Sequence, residues 1–309
     1  MNTSLDPAFN LALEETFLHR IEPGHPGYAI LWQNKPTLVV GRFQNTRQEI
    51  NAAFVRENNI AVVRRMTGGG TVYHDEGTLN YTFIHHLGAT GTLPSFSEAG
   101  KPIAMALQQL GLPVTFSGRN DLLLNGRKVA GVAHCQQGQR FLHHGCILVS
   151  TDLDRLELAL HVDPEKYRSK GVASVRGRVD NLADYPRPLS APKLTVERVR
   201  EAILTQRSGE TYTLTDADIT AITQLRDEKY TTWDWTYGAS PPFTEHKSKR
   251  FSWGKLEVFL AVRAGAVESC RFAGDFFAGT PRNTNPSKPL SSAFPIPYKP
   301  LPPYSTASP

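Results

Sequence analysis

The chain has 309 residues, 40% of them hydrophobic and 20% charged, with a formal net charge of +5. No apolar run approaches the roughly 18 residues that a membrane span needs, and the N-terminus has no basic segment followed by an uninterrupted apolar one. A cytoplasmic protein of roughly two domains, without a membrane association, is therefore expected. Cys135, Cys146 and Cys270 are odd in number and form no CxxC pair, which excludes a disulfide framework and a cysteine-rich zinc site.

Asp6 followed by Pro7 predicts a helix start, and Phe9, Leu13 and Phe17 then recur on one face. Tyr28 to Gln33 and Thr37 to Gly41 read as strands joined by a short turn at Asn34, Lys35 and Pro36. Thr46 to Glu49 reads as a capping box opening a helix over Ile50, Ala53 and Phe54, and a strand follows from Ile60. Arg64 to Gly77, RRMTGGGTVYHDEG, stands directly after that strand. Leu79 to Ile84 alternates as a half-buried strand does, and Pro102 to Leu110 predicts a helix closed by Gly111. Asn125 and Gly126 lie between apolar runs, a strong hairpin signal that puts Lys128 on the return strand. Phe141 to Ser150 reads as a strand carrying His143 and His144, with a helix after Asp152 bearing Leu153, Leu156 and Leu160. Val196, Val199 and Ile203 mark a further helix face. Strands and helices mixed in this irregular order, with hairpins, predict an α+β fold rather than a doubly wound parallel sheet.

A second, smaller unit is expected from about Tyr230, where WDWTYGASPPF leads into the strand pattern FSWGKLEVFLAV. The expected division is 1–228 for the main domain, 229–278 for a short and incomplete C-terminal domain, and 279–309 for a tail. That tail holds nine prolines in 31 residues and no acidic residue, a composition too poor in buriable surface to fold alone.

Three glycines in a row carry a high entropic cost, yet they let backbone amides approach a ligand and line up as donors for an anion. The loop matches no GxxxxGK[ST], and Tyr73 stands where GxGxxG needs its last glycine. The segments GRND (118–121) and GRKVAG (126–131) are brought together by the hairpin. Lys128 can there act as a point charge on phosphate or carboxylate, and Asp121 as an oxygen ligand for Mg²⁺. Ordinary solvent-facing hairpin charges are the competing reading. His143 and His144, adjacent on a strand, point to opposite faces and cannot readily share a metal, so one is expected inside and the other exposed. In KGVASVRGRVDNL (170–182), Arg176, Arg178 and Asp180 form either a solvated surface or a basic wall on the anion site. No serine lies in GxSxG.

Taken together, FNLALEE, LWQNKPTLVVGRFQN, RRMTGGGTVYHDEGTLNYTF, SGRNDLLLNGRKVAGVAH, FLHHGCILVSTDL and KGVASVRGRVDNL resemble the lipoate-protein ligase family, relatives of the biotin ligases. The resemblance implies a mixed β-sheet core of the biotin/lipoate ligase type flanked by helices. It also implies a two-step reaction. Lipoate's carboxylate attacks the α-phosphate of ATP to give lipoyl-adenylate, and a lysine of a lipoyl domain then takes the lipoyl group and releases AMP. The implied acceptors are lipoyl domains of 2-oxoacid dehydrogenase E2 subunits and the glycine cleavage H protein, served by a monomer.

Carried over by motif, Arg65, Gly70, Thr71, Val72 and Tyr73 contact ATP, with Asn120 and Asp121 beside it and Asp121 reaching Mg²⁺. Lys128 contacts both nucleotide and lipoyl carboxylate and is the catalytic residue. Gly68, Gly69 and His144 join Lys128 around lipoate. Two anions must meet at the α-phosphate, and one well-placed donor at such a centre is worth roughly 3 to 4 kcal/mol.

The chain departs from the family at HHGC, where relatives have HHGT, and in a C-terminal unit that stops early. Two alternatives follow. One is an octanoyl- or lipoyl-transferase of the same fold, which needs an activated thiolate at Cys135 or Cys146. The other is a non-catalytic module that binds lipoate or a lipoyl domain. Nucleic acid is not an expected partner, because aromatic residues are not interleaved with the basic ones.

Overall fold

The computed structural model describes residues 3–88, 91–117, 120–160, 175–188, 190–206, 209–238, 243, 245–251, 253–263 and 266–275. The expectations placed on Gly118 and Arg119, on Lys170 to Ser174, on the Arg176 side chain and on the proline-rich tail lie outside these residues.

Helix α1 (Pro7–Arg20) begins where the sequence says: the Asp6 carboxylate accepts from the Ala8 N–H, and proline follows at the first position. Strands β1 (Tyr28–Trp32) and β2 (Thr37–Val40) come next. The expected single helix from Thr46 is instead two short ones, α2 (Thr46–Glu49) and α3 (Ala52–Glu57). Asn45 and Asn51 cap them separately, and Ile50 between them is extended and bridges to Leu160. A second asparagine cap restarts the helix where a capping box alone would have let it run on. Strands β3 (Ala61–Arg64), β4 (Val72–His74) and β5 (Thr78–His86) frame the glycine loop.

Helix α4 (Phe96–Gln109) starts earlier than Pro102 suggested, because Ser95 and Glu98 form a capping box upstream and the proline is carried inside the helix. The hairpin follows as β6 (Thr115–Ser117), β7 (Asp121–Leu124), β8 (Arg127–Gln137) and β9 (Arg140–Leu148). Asn125 and Gly126 at its turn have φ of 50° and 77°, the left-handed pair that a type I′ turn requires. Helices α5 (Leu153–Ala159), α6 (Val175–Arg178), α7 (Val196–Thr205) and α8 (Asp216–Leu225) complete the main unit. Two single π-turns (Arg226–Tyr230 and Asp234–Gly238) lead to an antiparallel meander, β10 (Glu245–Phe251), β11 (Gly254–Arg263) and β12 (Ala266–Gly274).

The main sheet has six antiparallel strands in the order β1-β5-β9-β8-β7-β6. A second sheet, β3-β2-β4, is mixed: β2 runs parallel to β3 and antiparallel to β4. The architecture is α+β with mixed sheet pairing, as expected.

One face of the main sheet packs on α4 and α7 through Leu79, Tyr81, Ala130, Ile147, Ile103, Leu107 and Val199. The other face meets α1, whose Leu11, Phe17 and Leu18 are buried with Trp32, Val39 and Leu142. Both faces are therefore covered, and this corrects the expectation for the histidine pair. His143 is buried on the α4 side between Phe83 and Phe141, and His144 is buried on the opposite side.

Candidate active site

The register of the main sheet lines up one residue from each of five strands: Trp32 opposite Asn80, Asn80 opposite Cys146, Cys146 opposite Gly131, and Gly131 opposite Asp121. Cross-strand partners share a face. These five residues form the floor of a cavity of about 330 Å³, whose walls are Leu11 of α1, the loop Gly69 to Val72, and the segment around Lys128. Arg250, Phe251 and Asp275 of the C-terminal meander close its rim.

Lys128 reaches this floor because of a β-bulge. Leu122 pairs with Ala130 but Leu123 pairs with Lys128, so Val129 is an extra residue in β8. Without a bulge in the strand as it stands, Lys128 and Gly131, three apart, would face opposite sides of the sheet. With it, the ammonium lies directly over Gly131, where a Cβ would stand 2.8 Å from Nζ. A side chain at position 131 would have to displace the ammonium from this place.

Lys128 Nζ is 2.8 Å from Asp121 Oδ1, and Arg178 donates to Asp121 Oδ2 at 2.6 Å. Burial alone would raise the Asp121 carboxyl, but the Lys128 and Arg178 charges and hydrogen bonds together hold it well below the usual carboxylate range. The triad is one carboxylate between two cations, net positive, at the open end of the cavity. Arg178 thus belongs to a basic wall on the site rather than to a solvated surface. Asn120 lines the same end and is tied to β8, its Nδ2 donating to the Val132 carbonyl at 3.0 Å.

The glycine loop has a different logic. Gly69 takes φ of 91°, and its carbonyl would lie 2.0 Å from a Cβ at Gly41, so two backbones meet there with no room for a side chain. Arg65 is buried beneath the loop. Its guanidinium donates to the carbonyls of Val39, Gly68 and Gly70 and to Thr67 Oγ1, at 2.7 to 3.0 Å. Burial lowers its pKa to about 10, which leaves it charged at neutral pH. Arg65 therefore braces the loop through these four bonds, and it also lines the cavity. By drawing carbonyls inward, it leaves the N–H groups of Gly68, Gly69 and Gly70 donating to no group among the described residues.

Arg64 points the other way. It donates to the carbonyls of Gly41, Arg42, Gln44, Trp235 and Thr236 and to Thr46 Oγ1, tying the β2–α2 loop to the second π-turn.

Two further assignments change. Tyr73 is buried in a core cluster with Leu38, Leu148 and Leu153, on the opposite side of β4 from its neighbours Val72 and His74, which line the cavity. Strand alternation thus turns its ring away from the cavity. Gly68 does not line the cavity; Gly69, Gly70 and Thr71 do. Thr71 is held by its hydroxyl donating to Gln44 Oε1 at 2.9 Å.

His144 lines the cavity with both ring nitrogens engaged: Nδ1 lies 2.9 Å from Glu14 Oε1 and Nε2 lies 2.8 Å from Thr67 Oγ1. Of the adjacent His74 and Asp75, His74 lines the cavity. Asp75 holds the turn, accepting from the N–H groups of Gly77 and Asp152. Burial, then the Arg65 and His144 charges, push His74 down to about 3, so its ring is neutral. Trp32, Asn80 and Leu11 went unnoticed in the sequence. Only the strand pairing brings them to one surface.

Asp121 was expected to ligate Mg²⁺. Both its oxygens are held by cations, and among the described residues no group of three His, Cys, Asp or Glu side chains could hold a metal. These residues do not make a preformed magnesium site. The thiols are equally unsuited to covalent transfer. Burial raises Cys135 to about 12, and burial likewise raises Cys146 despite the nearby Lys128. A nucleophilic cysteine needs the opposite shift.

A cationic mouth, an unpaired amide loop and a largely apolar slot below them define a site for a small carboxylic acid to be joined to a nucleotide. The comparisons give that class its family. Residues 6–207 match the lipoyl protein ligase A/B catalytic domain, and residues 240–285 match the bacterial lipoate protein ligase C-terminus. The chain is 38% identical over 279 residues to the lipoate-protein ligase LplJ of Bacillus subtilis, covering 88% of this chain and 82% of that one.

Among solved structures, P. falciparum LipL1 in complex with lipoate superimposes with a TM-score of 0.71 at 25% identity, covering 89% of this chain and 84% of its own. The bi-partite lipoate protein ligase of Thermoplasma acidophilum, described with its E2 lipoyl domain, gives 0.68 at 26%, covering 79% of this chain and 97% of its own. The chain belongs to the lipoate-protein ligase family, and it is an ATP-dependent ligase. No helix among the described residues is long and apolar enough to cross a membrane.

Proposed function

We propose that the chain activates lipoate with ATP in the cavity above the main sheet and passes the lipoyl group to a lysine of lipoyl domains. The observation that carries this reading is the Lys128–Asp121–Arg178 triad at the open end of a slot whose far end is lined by Trp32 and Leu11.

Lipoate enters tail first, and its carboxylate replaces Asp121 as the partner of Lys128. The lysine thereby exchanges one carboxylate for another, so little ion-pairing is lost on binding. A carboxylate oxygen then bonds to the α-phosphorus of ATP as the bond to pyrophosphate breaks. Charge grows on the α-phosphate, where Lys128, Arg178 and the free N–H groups of Gly69 and Gly70 are already oriented, with no reorganisation to oppose the step. In the second step the acceptor amine attacks the acyl carbon, loses a proton, and AMP leaves. Lys128 serves both steps because carboxylate and phosphate meet at its ammonium.

Arg65 acts from below by holding the glycine carbonyls away. Magnesium prefers phosphate oxygens and water, and is proposed to arrive on the nucleotide rather than on Asp121. The acceptors we favour are E2 lipoyl domains and the glycine cleavage H protein. The proposed domain limits are residues 1–228 and 229–278.

The test is purified chain with ATP, Mg²⁺, lipoate and an apo lipoyl domain, scored by acceptor mass and by lipoate-dependent exchange of pyrophosphate into ATP. Acceptor gaining one lipoyl group, with exchange, is expected. Lipoate binding without exchange would replace this reading with a non-catalytic module.

A further inference from the structure

The buried end of the cavity is not uniformly apolar. Asn80 is 1% exposed, and neither its Nδ2 nor its Oδ1 has a hydrogen-bond partner among the described residues. His74 Nε2, also buried and lining the cavity, has none either. The His74 tautomer follows from its other nitrogen. Asn10 Nδ2 donates to Asn34 Oδ1, which orients the Asn34 amide so that its Nδ2 donates to His74 Nδ1 at 3.2 Å. His74 Nε2 therefore carries the proton.

Two N–H donors flank Trp32: Asn80 is its register partner on β5, and the His74 ring centroid is 6.0 Å from its ring. Buried donors left unpaired are costly and rare in native structures, and such groups call for an explanation. Val72 and Leu11, by contrast, line the same cavity without polar side-chain atoms.

Position supplies the explanation. Asn80 is two strands from Gly131, about 10 Å at ordinary strand spacing, and Lys128 Nζ lies over Gly131. A medium-chain acid with its carboxylate on Lys128 would place its far end beside Asn80. We propose that Asn80, with His74, is a specificity element that donates to the ring sulfurs of the substrate and so selects a sulfur-bearing acyl tail over an all-carbon one. Sulfur is a weak acceptor, but a ring methylene is none. An alkyl tail fills the same space and leaves both donors buried and unpaired. A site built to hydrogen-bond its substrate discriminates in this way against an analogue that lacks the partner. Asn80 Oδ1 gains no donor from either tail and cancels from the comparison.

This inference rests on the ligase reading above, and the experiment separates the two. Adenylation is measured with lipoate, octanoate and a cyclopentane analogue of lipoate in which ring methylenes replace both sulfurs. The analogue keeps the ring shape, so its ratio to lipoate isolates the sulfurs. In the unaltered protein kcat/KM for lipoate should exceed that for the analogue by about tenfold, the ratio for one modest hydrogen-bond contribution. Asn80→Leu should bring the ratio below about threefold, chiefly by raising the analogue and octanoate.

Equal use of lipoate and analogue by the unaltered protein would overturn the proposal, as would an unchanged ratio in a folded Asn80→Leu protein. If that variant does not fold, calorimetric binding of lipoate and analogue to Asn80→Ala decides by the same ratio. If the unaltered protein activates no acid with ATP, the ligase reading fails, while calorimetry on the same pair of acids still scores Asn80.

Discussion

The glycine loop and the β7–β8 hairpin both bring positive charge to the cavity, yet they use it in opposite ways. Under the loop, Arg65 gives three of its four bonds to fixed backbone carbonyls, and Arg64 beside it gives five of its six to carbonyls of a neighbouring loop and the π-turn. At the hairpin, Lys128 on β8 and Arg178 from α6 hold a single carboxylate, Asp121, at the cavity mouth, a partner that an incoming anion can displace. Cations bonded to the main chain shape a surface. Cations bonded to a side chain at an opening can exchange partners, and chemistry needs that freedom.

This contrast is open to direct attack. The largest effect is expected from Arg64→Met, which strips six hydrogen bonds from two segments and leaves buried carbonyls unsatisfied. Urea unfolding should register a loss of about 3 kcal/mol or more. If stability is kept and activity alone disappears, Arg64 belongs with the exchangeable group. Lys128→Ala should do the reverse, lowering pyrophosphate exchange by at least about 100-fold with little change in the unfolding midpoint. Arg178→Ala should cost less, about tenfold in the same assay, since Lys128 remains.

Acidification sharpens the comparison from a third side. Burial is the main cause that sets both His74 and His143 near 3, below the ordinary 6.5. From about pH 6.5 downward the unfolded chain takes up these protons while the folded chain does not, so stability must fall progressively toward pH 3. His74→Gln should flatten that decline in urea midpoints measured between pH 7 and 4. Asp121 acts in the same direction but later, its contribution being lost as the pH falls through the usual carboxylate range and on below it. The smallest effect is expected for Cys146→Ser, with ligation within about twofold of the unaltered protein. Loss of transfer there would reopen the thioester route.

Much of the architecture was readable from local signals. Asp6 with Pro7, and Asn125 with Gly126, specify their helix start and hairpin through atoms only a few residues apart. What escaped the sequence depends on which strands become neighbours. Tyr73 sits in the motif but turns into the core, because alternation on β4 gives the cavity to Val72 and His74. Arg65 was assigned to ATP by its place in the motif, and only the fold shows that it is also buried among carbonyls as a brace for the loop. Trp32, Asn80 and Cys146 are far apart in the chain and lie on one row only through the pairing of β1, β5 and β9. One histidine of the pair His143 and His144 was expected to be exposed, which would hold for a sheet with one bare face; α4 covers the His143 face here and α1 the other.

The extra residue at Val129 has a genetic consequence. Substitution at this position tests packing, but removal of the one codon tests geometry. Without Val129 the same pairs form a regular ladder with Asn125 and Gly126 at its turn, and Lys128, then two residues from Gly131, keeps its side of the sheet but loses the local bend and twist of the bulge. The deletion therefore separates two things that a bulge supplies, the side a residue faces and the twist that aims it, and pyrophosphate exchange by the shortened chain reads the second alone.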